Sequence, residues 1–280
     1  MTILYATDCS KNSISTLQYA QKLALQLSAK LVVLYVYDIP PIAGKTIKTE
    51  EQIQRGLKKE KLQLLRSYCH ENSVENIKNL TMFLTSEYGA SITHTIMEYT
   101  LHLDCNLLII GMKDEHSKRG VFSGNIANSL LRHINCKMMI VPNAFEFSAI
   151  TSIVYATDFE EEDIKAIQQV LQVFKMQNLE IKVVHVDTNT NAKGKEQMEW
   201  FKEMVLEKVG DSTISFNVIN AKTVPQGLRM FIGDENPNLI ALLEREEPTI
   251  FKKLFHKDLI KTMESRIRIP ILSINQKSLQ

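Results

Sequence analysis

The stretch ILYATD at 3–8 returns as IVYATD at 153–158, each time a short apolar run closed by an aspartate. A second block, LVVLYVYD at 31–38, meets IKVVHVDT at 181–188 at the same offset of 150, which lays Val36 on Val186. Further on, NLLIIG at 106–111 resembles NLIALL at 238–243, and CKMMIV at 136–141 resembles IPILSI at 269–274. The offset there has fallen to about 132, so the second copy has lost residues between these blocks. Four blocks in one order describe a duplicated domain, with copies at 1–143 and 150–280.

Within each copy two periodicities alternate. Residues 2–7 form an apolar run, and from Ser10 to Ser28 the residues Ile14, Leu17, Ala20, Leu23, Ala24 and Leu27 recur at helical spacing, with Ser10 as the expected N-cap. LVVLYVY is too uniformly apolar for a strand with one wet face. A charged, leucine-spaced helix is expected over 47–70, strands at MFLTS, LLII and MMIV, and helices near 90–102 and 124–133. The second copy repeats the order, with strands near 152–157, 181–186, 213–219, 238–243 and 270–274. Five strands alternating with four helices imply an α/β doubly wound domain, twice over: a five-stranded parallel sheet with helices on both faces. Ligands of such sheets bind beyond the strands' carboxyl ends, where the winding reverses, and Asp8 and Gly111 stand at such ends.

Composition narrows the function classes. With Lys+Arg 33 against Asp+Glu 32 there is no basic field, so no nucleic-acid partner is expected. The apolar runs are too short to cross a bilayer, no membrane partner is expected, and a start without a signal-like segment points to the cytoplasm. Cys9, Cys69, Cys105 and Cys136 show no paired spacing, so neither a zinc site nor a disulfide framework is indicated and free thiols, buried or half-buried, are expected. The seven histidines show no metal-ligand spacing, and His185, in a strand, reads as a core histidine with its polar atoms satisfied.

Two places carry candidate chemistry. Asp8 reads equally as an N-cap or turn carboxylate and as an acceptor for a ligand hydroxyl or a metal-bound water. In GMKDEHSKRGVFSGN, 111–125, a glycine closes a strand and Gly124-Asn125 open a helix, which suits a phosphate through backbone N–H groups and the helix dipole; turn geometry explains lone glycines as well. Lys113, Lys118 and Arg119 add positive charge there, as solvated loop cations commonly do.

YATDCS, LYVYD and the glycine-bracketed loop running into NCKMMIVP together resemble the universal stress protein domain, over both copies. The resemblance implies ATP, with Mg²⁺, in the first copy. Ala6, Thr7, Asp8 and Val36 would line the adenosine, and Gly111, Met112, Lys113, Asp114, Gly124, Asn125 and Ile126 the ribose and phosphates. ATP-binding members carry G-x2-G-x9-G-[S/T]; here Asp114 replaces the second glycine and Asn125 the final Ser/Thr. In the second copy LLEREEPTIFKKLFHKDLIKTM replaces the loop, with Leu243 or Glu244 in the place of Gly111 and about Lys257 in that of Gly124. Asp158 is then expected to face Glu244, Glu246 and Glu247 and to have lost its ligand, leaving a degenerate copy with a structural or partner-binding role.

The first reading is therefore a stress-response protein binding adenine nucleotide in the first copy only, not an enzyme, since no general base is placed by the sequence. The second is a nucleotide-free scaffold acting through protein partners. A hydrolase using Ser10 or Cys9 comes third. Family resemblance also implies that the copies form an intramolecular pseudo-dimer, with a further homodimer as an extension.

Overall fold

The computed structural model describes residues 1–38, 49–112, 124–175, 179–188, 193–210, 213–245 and 269–279. The chain divides into two compact units, Met1–Phe147 and Ser148–Gln280. In the first, the order is β1 (Thr2–Thr7), α1 (Ile14–Gln26), β2 (Lys30–Tyr37), α2 (Glu50–Asn72), β3 (Met82–Tyr88), α3 (Ile92–His102), β4 (Leu107–Gly111), α4 (Gly124–His133) and β5 (Lys137–Val141). Its strands lie in the order β3-β2-β1-β4-β5 and every described pairing is parallel. Parallel strands need crossovers, and the reversal of winding after β3 sends α1 with α2 and α3 with α4 to opposite faces. That explains why Ile3, Leu4, Tyr5 and Ala6 are all buried: both sides of β1 are covered.

The second unit runs β6 (Ser152–Ala156), α5 (Glu161–Val173), β7 (Glu180–Asp187), α6 (Gly194–Val209), β8 (Ile214–Asn220), α7 (Val224–Glu235), β9 (Leu239–Glu244) and β10 (Ile271–Asn275). Its strand order, β10-β9-β6-β7-β8, is the same winding. Val154 and Ala156 of β6, Val184 and Val186 of β7, and Ile240 and Leu242 of β9 form one core with Val224, Leu228 and Ile232 of α7. Alternate strand residues meet one helix face, as the strand period of two and the helix period near 3.6 require. The stretch in which the fourth helix of this copy is expected lies within 246–268, outside the described residues.

The first helix begins later than the spacing predicts. Residues Lys11–Ser13 form a 3-10 turn, α1 starts at Ile14, and the Ser10 side chain makes no cap hydrogen bond. The Asp8 carboxylate takes that local role instead, its Oδ1 accepting from the Ser10 N–H at 3.0 Å. Among the described residues no helix is long and apolar enough to cross a membrane.

Candidate functional site

The winding reverses between β1 and β4, and Tyr5 pairs with Ile109 there, so two steps on Thr7 stands level with Gly111. β2 adds Val36, one residue beyond the Thr7–Tyr35 pair. The structure thus brings Ala6, Thr7, Asp8, Val36, Gly111 and Met112 to one end of the sheet. Ala6, Thr7 and Val36 are buried, while Asp8 and Met112 are half-buried. Gly124 and Asn125 open α4, and Ile126 is half-buried in its first turn. Lys113 and Asp114 lie outside the described residues.

Several of these residues are already committed. Thr7 Oγ1 accepts from the Cys9 N–H (3.1 Å) and the Tyr5 hydroxyl (3.3 Å) and donates to Ser13 Oγ (3.2 Å), which meets the Tyr68 hydroxyl at 2.7 Å. This network fixes the turn in which Cys9 takes a left-handed φ of 56°. The Met112 N–H is spent on the Val141 carbonyl at 2.8 Å. Gly111 has a packing reason: a Cβ there would lie 2.8 Å from Oγ1 of Thr16, buried on α1. Asp8 differs. Its only hydrogen bond among the described residues goes through Oδ1 to Ser10, and it is in no ion pair with a described residue. Burial, with Cys69 and Asp8 nearby, pushes the Cys9 thiol up to about 12, so it stays protonated and is no ready nucleophile.

The second unit builds the same turn with other means. Thr157 Oγ1 accepts from the Phe159 N–H at 2.9 Å, and Phe159 has φ 69°. Where the first unit has Ser13, 150 residues on stands Asp163, a buried carboxylate taking hydrogen bonds from the Tyr155 hydroxyl (2.7 Å) and Thr157 Oγ1 (2.8 Å). Arg245, one residue past β9, closes the end: Nη1 and Nη2 each lie 2.5 Å from an Asp158 carboxylate oxygen, and Nη2 also lies 3.2 Å from Asp163 Oδ2. Such a two-point guanidinium–carboxylate fork is the strong, geometrically specific kind of ion pair. Burial works against the arginine's charge, but the hydrogen bond and charge of Asp158 and the charges of Asp163 and Glu160 outweigh it and raise its pKa. Burial likewise lifts Asp163 to about 6, with Arg245 pulling the other way.

The expectation that glutamates face Asp158 is corrected in part: among the described residues its partner is Arg245. Glu244 is buried at the end of β9, Glu246 and Glu247 lie outside the described residues, and a cation holds Asp158. Register settles the alignment too: Tyr155 pairs with Ala241 as Tyr5 does with Ile109, so Leu243 stands for Gly111 and Arg245 for Lys113. That correspondence was the signal in the sequence, a loop cation of the first copy reappearing among the glutamates of LLEREE. Asp163, replacing Ser13, left no such signal. His185 is satisfied as expected, its Nδ1 3.0 Å from the Thr157 carbonyl and its ring against Phe159. Among the described residues no cluster of His, Cys, Asp and Glu could hold a metal ion.

The model of the universal stress protein family matches residues 1–142. Among solved structures, a universal stress protein from Archaeoglobus fulgidus superposes with a TM-score of 0.69 at 13% identity, over 98% of this chain and 98% of that one. A putative universal stress protein from Pseudomonas aeruginosa gives 0.61 at 13% identity, over 99% and 94%. At such identities the likeness concerns the fold. No curated protein sequence matches the chain.

Proposed function

The chain belongs to the universal stress protein family, and from that premise we propose that its first unit holds one adenine nucleotide at the carboxyl ends of β1, β2 and β4 while the second unit holds none. One observation carries the reading: among the described residues the two equivalent aspartates have different partners. Asp158 is gripped by Arg245, whereas Asp8 spends one oxygen on a neighbouring N–H and meets no cation among the described residues. A carboxylate so placed, beside the buried Ala6 and Val36, suits a ribose hydroxyl above an apolar floor for a base. The amino end of α4, at Gly124, would offer N–H groups to phosphate, and Mg²⁺ would arrive with the phosphates. Binding rather than turnover is the proposed role, since the site carries no positioned base or arginine finger among the described residues.

Thermal unfolding with and without Mg-ATP tests this. Ligand at one hundred times its Kd should stabilise the first unit by roughly 2.7 kcal/mol, and Asp8→Ala should remove most of the shift. No shift at millimolar Mg-ATP would leave the nucleotide-free scaffold as the better reading. The spent Met112 N–H and the packing role of Gly111 are the observations on that side.

A further inference from the structure

At the opposite end of the first unit's sheet, the fold brings together two cysteines that are 31 residues apart in the sequence. Leu107 of β4 pairs with Lys137 of β5, which sets Cys105 two residues and Cys136 one residue ahead of that pair, just before two neighbouring parallel strands. Their side chains are hydrogen-bonded to each other. The Cys105 sulfur is also held 3.3 Å from the Leu107 carbonyl and 3.8 Å from that of Thr2. Each cysteine is 8% exposed, and Asp104, Asn106 and Asn135 beside them are exposed, so the pair lies just under the surface. We propose that Cys105 and Cys136 are a dithiol that a hydroperoxide converts to a disulfide, an oxidation site remote from the nucleotide end.

The environment divides the labour. The hydrogen bond from Cys136 lowers the pKa of the Cys105 thiol, outweighing burial, whereas the same bond together with burial pushes Cys136 well up. Cys105 is thus the more acidic thiol of the pair and Cys136 the less acidic, the arrangement of an attacking and a resolving thiol. The Cys105 sulfur gives up its proton and attacks the outer oxygen of ROOH; the O–O bond breaks, RO⁻ leaves and takes up that proton as ROH, and Cys105 becomes a sulfenic acid. The Cys136 sulfur then attacks that sulfur, the S–S bond forms, and the hydroxyl departs with the Cys136 proton as water. Two thiols and ROOH give one disulfide, ROH and water. Burial pushes both remaining cysteines, Cys9 and Cys69, up to about 12, which disfavours them as competitors.

The experiment treats the full native chain with one equivalent of hydrogen peroxide, then alkylates it and maps the peptides without reduction. The expected product links the peptides carrying Cys105 and Cys136, with complete reversal by dithiothreitol. In Cys136→Ser, dimedone should trap a sulfenic acid on Cys105; in Cys105→Ser the cross-link and the trapped adduct should both vanish. A link between Cys9 and Cys69, over-oxidation of Cys105 with Cys136 still a free thiol, or no oxidation of the native chain would each overturn the proposal. The wild-type map decides it even if a variant fails to fold.

Discussion

Arg245 is the residue whose loss should be felt most. It faces two carboxylates, Asp158 and the buried Asp163, so removing it leaves negative charge with little compensation. Arg245→Met should destabilise the second unit by about 3–5 kcal/mol, read as a shift in its denaturant midpoint. Arg245→Met should also raise the Asp163 pKa beyond about 6, because the arginine is what pulls it down. The sign for stability follows from linkage. Asp163 binds its proton more tightly folded than unfolded, so its contribution is fully favourable below the ordinary carboxylate pKa and is lost as pH rises through about 6. The second unit of the wild type should therefore gain stability from this group as pH falls from 7 toward 5, and Asp163→Asn should flatten that slope. The Asp163 network could not be read in advance, because a serine-to-aspartate change on a helix says nothing of the arginine it will meet 82 residues later.

At the scale of elements, β1, β2, β4 and β5 were legible because both of their faces are largely buried and they appear as near-continuous apolar runs. The start of α1 was less so: the sequence offers Ser10 as a cap, but Asp8 takes the turn and the helix proper waits until Ile14. Gly111 illustrates a signal with two causes, since a glycine at a strand end suits a phosphate as well as a close-packed helix. The structure shows the second cause, and the repeat supports it. Leu243 replaces Gly111 where Ala166, fully buried on α5, replaces Thr16, so one position loses bulk as the other gains it. Gly111→Ala should cost on the order of 1–3 kcal/mol through the clash with Thr16 Oγ1. Adding Thr16→Ala should restore much of that loss, because the Thr16 hydroxyl has no hydrogen-bond partner to lose among the described residues. Additive effects of the two changes in a double-mutant cycle would show that packing is not the reason for the glycine.

For the whole molecule, the repeated blocks of the sequence fall in two units that share one winding. Their asymmetry was legible only in part. The second copy visibly lacks the glycines of the first, but the arginine at the end of its sheet emerged only when the strand register placed Arg245 on Lys113. The central claim is that a chain with two copies of one fold has one nucleotide site. Isothermal titration of the intact chain with Mg-ATP tests it most directly. The expected result is a stoichiometry of one nucleotide per chain, abolished by Asp8→Ala and unchanged by Asp158→Asn. Two nucleotides per chain, or binding that survives Asp8→Ala and disappears in Asp158→Asn, would contradict it.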